Sequence, residues 1–130
     1  MSKDENQIEN NLSENKVNSS EDIKVHKEPL FNIGDIVKHR IYPFRGVIID
    51  VDPEFSNTEE WYQSIPAEIR PSRNQPYYHL MAENTETFYT AYVSQQNLVK
   101  DGEIGPLEHP DLEEMFSGID KGKYQLRNEV

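Results

Sequence analysis

The run Arg45-Gly46-Val47-Ile48-Ile49-Asp50-Val51-Asp52-Pro53 constrains the fold more than any other part of the chain. Four β-branched residues fall within five positions, which suits a pleated sheet and disfavours a helix. Gly46 opens the run and Pro53 closes it. Strict alternation places Val47, Ile49 and Val51 on one face and Ile48, Asp50 and Asp52 on the other. A second strand precedes it, Ile36–Ile41, with Val37, His39 and Ile41 opposite Ile36, Lys38 and Arg40. Pro43 cannot donate to a ladder and ends that strand. Tyr42 to Arg45 then form a hairpin loop.

Two further strands follow. Tyr78, Leu80 and Ala82 alternate with Tyr77, His79, Met81 and Glu83, and Tyr89, Ala91 and Val93 alternate with Phe88, Thr90 and Tyr92. Asn84 to Glu86 make the turn between them. A helical turn around Ser94–Asn97 leads to a short last strand at Leu98 and Val99. Between the two hairpins, residues 53–76 hold four prolines and no alternation. Such a long excursion is uncommon without structure of its own. Ser56-Asn57-Thr58 followed by Glu59 and Glu60 reads as a helix start, a small polar cap with acids in the first turn, carried through Trp61 and Tyr62 and ending before Pro66. Those aromatics must pack on the sheet, on a partner or on another copy of the chain. The class implied is mainly β: a small, strongly bent SH3-like barrel with a long loop excursion and short helical turns. An open meander is the alternative.

Composition sets the boundaries. All 13 aromatic residues lie between Phe31 and Tyr124. The first 29 residues carry seven acids, four lysines and five asparagines, too little apolar surface to offset the entropy of ordering. They read as a disordered acidic tail without the apolar stretch of a secretory signal. Residues 30–116 read as the folded domain. Leu112, Met115 and Phe116 form a short amphipathic helix at its end. Residues 117–130 read as a flexible tail.

The net charge of −11 disfavours phosphate backbones and anionic lipid at long range. No apolar run is long enough to span a bilayer, so no membrane partner is expected. The absence of cysteine removes disulfides, thiolate zinc sites and thiol nucleophiles. The histidines, at 26, 39, 79 and 109, show no metal-ligand spacing. Asp50 and Asp52 share a strand face, but no Gly-rich calcium loop accompanies them. Their reading is a solvated strand face leading into an Asp-Pro turn. No nucleophile elbow or phosphate-binding glycine motif is present, so catalysis, a metal and a cofactor are not expected.

The basic residues of the folded part are more informative. His39, Arg40 and Arg45 flank the first hairpin, and Arg70 and Arg73 lie in the excursion. Tyr42, Phe44, Trp61 and Tyr62 are interleaved with them. Arg mixed with large aromatics suits a protein interface. It also suits structural pairing with carboxylates, or nucleic acid with Arg on phosphate and aromatics on bases. The acidic chain ranks these in that order.

Several runs, taken together, resemble the heat shock protein HspQ family, also called the YccV-like or hemimethylated DNA-binding domain family. They are Ile33-Gly34-Asp35-Ile36-Val37-Lys38-His39-Arg40, Phe44-Arg45-Gly46-Val47-Ile48-Ile49-Asp50-Val51-Asp52-Pro53-Glu54-Phe55, Asn57-Thr58-Glu59-Glu60-Trp61-Tyr62, Gln75-Pro76-Tyr77-Tyr78-His79-Leu80, Ala91-Tyr92-Val93-Ser94 and Asn97-Leu98. The resemblance covers about residues 31–116. It implies a bacterial cytoplasmic β-barrel that assembles as a homotrimer. It also implies a modulator of the ATP-dependent protease Lon, or alternatively a hemimethylated-DNA regulator acting on replication-initiator levels. No catalytic residue transfers with it. The candidate contacts to a partner or DNA are His39, Arg40, Arg45, Arg70 and Arg73. The candidate subunit interface is Tyr42, Phe44, Trp61 and Tyr62.

Overall fold

The computed structural model describes residues 26–101 and 105–128. The expected acidic tail therefore lies outside the described residues up to position 25. The chain forms two compact units, one holding the excursion Phe55–Asn74, the other Lys27–Glu54 together with Gln75–Val130.

The larger unit is mainly β. Its main sheet holds β1 (Ile36–His39), β2 (Arg45–Asp52), β3 (Tyr77–Glu83), β4 (Phe88–Ser94) and β5 (Leu98–Lys100). The strands run antiparallel in the order β4-β3-β2-β1-β5, with β4 and β5 at the edges. A 3-10 turn, Gln95–Asn97, links β4 to β5. Val37, Ile48, Tyr78, Leu80, Ala82, Val93 and Leu98 bury one face, with Phe31. The start of this unit is tied down by side chains. The buried Gln95 accepts the Leu30 amide at 2.8 Å and donates to the Glu28 carbonyl at 3.1 Å. Tyr78 accepts the amides of Leu30 and Phe31 and donates to Gln95.

Two strand details depart from simple alternation. β1 stops at His39, because the chain turns there to satisfy the loop amides, and Ile41 is left 59% exposed. β2 carries a bulge at Ile49: Ile48 pairs with Leu80 while Asp50 pairs with His79. The extra residue reverses the pleat. Val47 and Ile49 therefore share one face, as expected, but Val51 crosses to pack with Ile48.

The second face of the sheet is covered by the C-terminal segment. Here a short helix, Leu112–Met115, is followed by β6 (Phe116–Asp120) and β7 (Lys123–Leu126). Leu107, Leu112, Phe116 and Tyr124 bury against Ile36 and Val47. The expectation of a flexible tail from residue 117 is thus corrected for residues 117–126. β6 and β7 pair as a hairpin through Lys121 and Gly122, both at positive φ (56° and 77°), a turn that matches strand twist.

The excursion packs on itself. Thr58 caps α1 (Glu59–Gln63), its hydroxyl accepting the Trp61 amide at 3.0 Å, with Glu59 and Glu60 in the first turn. A 3-10 turn, Ala67–Ile69, follows Pro66. The Phe55 amide donates to the Arg73 carbonyl at 3.0 Å and closes the neck of the loop.

Candidate functional site

The β1–β2 loop, Arg40 to Phe44, is the best-defined exposed feature of the larger unit. His39 organises it. Its Nδ1 accepts the backbone amides of Ile41 and Tyr42, both at 3.0 Å. Its own amide donates to the Phe44 carbonyl at 3.1 Å, and the Arg40 amide donates to the Asn97 carbonyl at 2.9 Å. The imidazole lies 4.9 Å from the Tyr42 ring and 5.1 Å from that of Phe44. Phe44 continues edge-on to Tyr89 and joins the core. Burial pushes His39 down to about 4, so the ring is neutral at physiological pH, with Nδ1 free to accept. The result is a pinned loop holding Ile41 and Tyr42 (47% exposed) outward. Beside it an open groove of about 810 Å³ runs between the loop, Lys38 and the Glu83–Thr85 turn.

The five basic candidates separate. Arg45 is committed to the fold: its Nε meets Asp101 Oδ2 at 2.9 Å and its Nη2 donates to the Gly105 carbonyl at 2.7 Å. Arg70 donates to the carbonyls of Ile65 and Gln63 within the excursion. Arg73 lies 4.1 Å over the Tyr62 ring and pairs with Glu59 at 2.8 Å. That pairing holds the Glu59 carboxyl below its usual range. His39 is an acceptor within its loop. Arg40 is exposed, with no ion pair among the described residues. Lys38 is placed likewise, lining the groove; the sequence reading set it on one strand face with Ile36 and Arg40 but did not single it out as a contact.

The aromatic candidates also fall into two groups. Tyr42 and Phe44 flank His39. Trp61 and Tyr62 are half-buried and pack on Phe55, at 5.8 and 5.1 Å between ring centres. The Tyr62 hydroxyl donates to the Pro71 carbonyl at 2.6 Å.

One polar constellation lies elsewhere on the sheet. Asp50, Asp52 and His79 bring their donor atoms within 4.8 Å of one another. In composition, two carboxylates and an imidazole suit a divalent cation. However, Asp52 Oδ2 already accepts the Tyr92 hydroxyl at 2.8 Å and lies 3.1 Å from His79 Nε2, which ties β2, β3 and β4 together. Sequence reading pairs Asp50 with Asp52 but misses His79 and Tyr92, which join only through strand pairing.

The larger unit is thus a small antiparallel sheet that presents a pinned, exposed loop. The profile of the family described as hemimethylated DNA-binding protein YccV like matches residues 29–123, and the chain belongs to that family. Its relatives include F-box only protein 21 of Pongo abelii and of Homo sapiens, each 31% identical over 93 residues, and that of Mus musculus at 30%. The shared stretch is 71% of this chain but 14% of each relative. No solved structure matches the chain. No described helix is long and apolar enough to cross a membrane.

Proposed function

We propose that this chain is a non-enzymatic, heat-shock-type modulator that binds the ATP-dependent protease Lon in the bacterial cytoplasm and tunes degradation of selected proteins. One observation carries the protein-binding part of this reading. Ile41 and Tyr42 are held outward on a pinned loop while Arg45, Arg70 and Arg73 are consumed by contacts within the chain. A rigid aliphatic and aromatic pair suits a protein partner. The choice of Lon rests on the resemblance to the HspQ family. The test is degradation of a model substrate by purified Lon, with and without this chain. The rate changes in its presence; an unchanged rate together with no detectable binding overturns the reading.

Hemimethylated DNA is the second reading, favoured by the description of the family. It draws on Lys38 and Arg40, and duplex retention with a salt slope tests it. Self-association as a homotrimer belongs to the same proposal. Trp61, with Tyr62, is its candidate contact in the excursion, which leaves Tyr42 and Phe44 at the groove for the protein partner. Light scattering then gives about three times 15.2 kDa.

A further inference from the structure

We infer that the groove beside the β1–β2 loop docks an acidic linear segment of a partner protein that carries an aliphatic or aromatic side chain. The inference rests on reading the chain as a protein-binding module and names the chemistry of what it binds. The groove has the size of a typical ligand cleft, about 810 Å³. Its lining holds three cations, Lys38, Arg40 and Arg45, against two acids, both engaged within the chain: Asp101 pairs with Arg45, and Glu83 Oε1 accepts the Glu108 amide at 2.7 Å. Its two free cations face outward: Lys38 and Arg40 are exposed and make no ion pair among the described residues. The groove is therefore locally positive on a chain of net charge −11. Charge complementarity then selects an anionic partner segment.

The apolar part selects further. Ile41, 59% exposed, and Tyr42, 47% exposed, stand at the lip, with Phe44 below. A purely polyanionic ligand leaves this surface wet, whereas a peptide with one large apolar side chain covers it. Because His39 fixes the loop beforehand, little ordering entropy is lost on binding. A duplex is the poorer fit. Two phosphate contacts release few counterions, giving a logarithmic salt slope of only about −2.

The test is fluorescence anisotropy on the full chain. The probe is a labelled peptide of about ten residues in which Asp and Glu surround a Leu-Tyr pair. A control peptide replaces every acid with Lys, and a short hemimethylated duplex serves as competitor. The acidic peptide binds at least roughly tenfold more tightly than the Lys peptide. Lys38→Glu/Arg40→Glu weakens it by at least roughly tenfold, as does Ile41→Ser, while the circular dichroism spectrum and melting curve stay those of the parent chain. Equal binding of the two peptides, unchanged affinity in the double variant, or displacement of the peptide by sub-stoichiometric duplex overturns the inference. The two proposals fail separately. Lon modulation that survives the double variant removes the groove assignment and keeps the protease reading. Peptide binding that persists while Lon degradation never responds does the reverse.

Discussion

Nδ1 of His39 accepts the Tyr42 amide at 3.0 Å while the two rings lie 4.9 Å apart. One neutral imidazole thus fixes both the backbone and the side chain of the most exposed aromatic in the loop. Protonation at Nδ1 would set a donor against the Ile41 and Tyr42 amides. The folded value of about 4 lies below the ordinary 6.5, so between these values only the unfolded chain takes up the proton. The contribution of His39 to stability is complete above pH 6.5 and is lost as pH falls towards 4. The loss amounts to on the order of 2–3 kcal/mol. His39→Asn keeps an acceptor near Nδ1 without a titrating group. Urea unfolding of this variant between those pH values has a flatter pH dependence than the parent chain.

Gly34 makes a close backbone approach to the C-terminal hairpin. The Tyr124 amide donates to the Gly34 carbonyl at 2.9 Å, and a Cβ on Gly34 would stand 2.2 Å from the Tyr124 carbonyl oxygen. Its φ of 98° adds strain for any side chain. Gly34→Ala therefore costs about 3 kcal/mol or more. Hydrogen exchange locates the damage: amides of β6 and β7 lose protection before those of β3.

The Asp52–Tyr92 bond predicts coupling between strands that are not adjacent. Asp52 sits on β2 and Tyr92 on β4, and the bond at 2.8 Å reaches across β3. Asp52→Ala and Tyr92→Phe each cost about 1–2 kcal/mol in chemical denaturation. The double variant costs less than their sum, because either change already removes the shared bond. Additive effects would show that the two residues stabilise the sheet independently and not through a shared bond.

Legibility in the sequence followed the range of the interactions. The faces of β3 and β4 repeat every two residues, so Leu80 and Val93 could be placed in the core directly. The Thr58 cap bonds an amide three residues on, again a local signal. The bulge at Ile49 depends on how β2 pairs with β3, and nothing within Val47–Val51 marks it. The C-terminal hairpin is polar apart from a few residues, so composition suggested mobility. Gly122 marks the turn, and Tyr124 is the residue that docks. For the site, His39, Arg40 and Tyr42 were legible as a cluster because they are neighbours in sequence. The engagement of Arg45 was not, because its partner Asp101 lies 56 residues away.

The central claim is that the exposed loop face meets protein in preference to DNA. It is tested most directly by titrating one labelled preparation of the chain with purified Lon and, separately, with a hemimethylated duplex, at about 50 mM and about 150 mM salt. The account predicts saturable binding to Lon at both concentrations, weakened by Ile41→Ser, with duplex binding weak at the lower salt and lost at the higher. Tight duplex binding that survives the higher salt, with no binding to Lon at either, would contradict it.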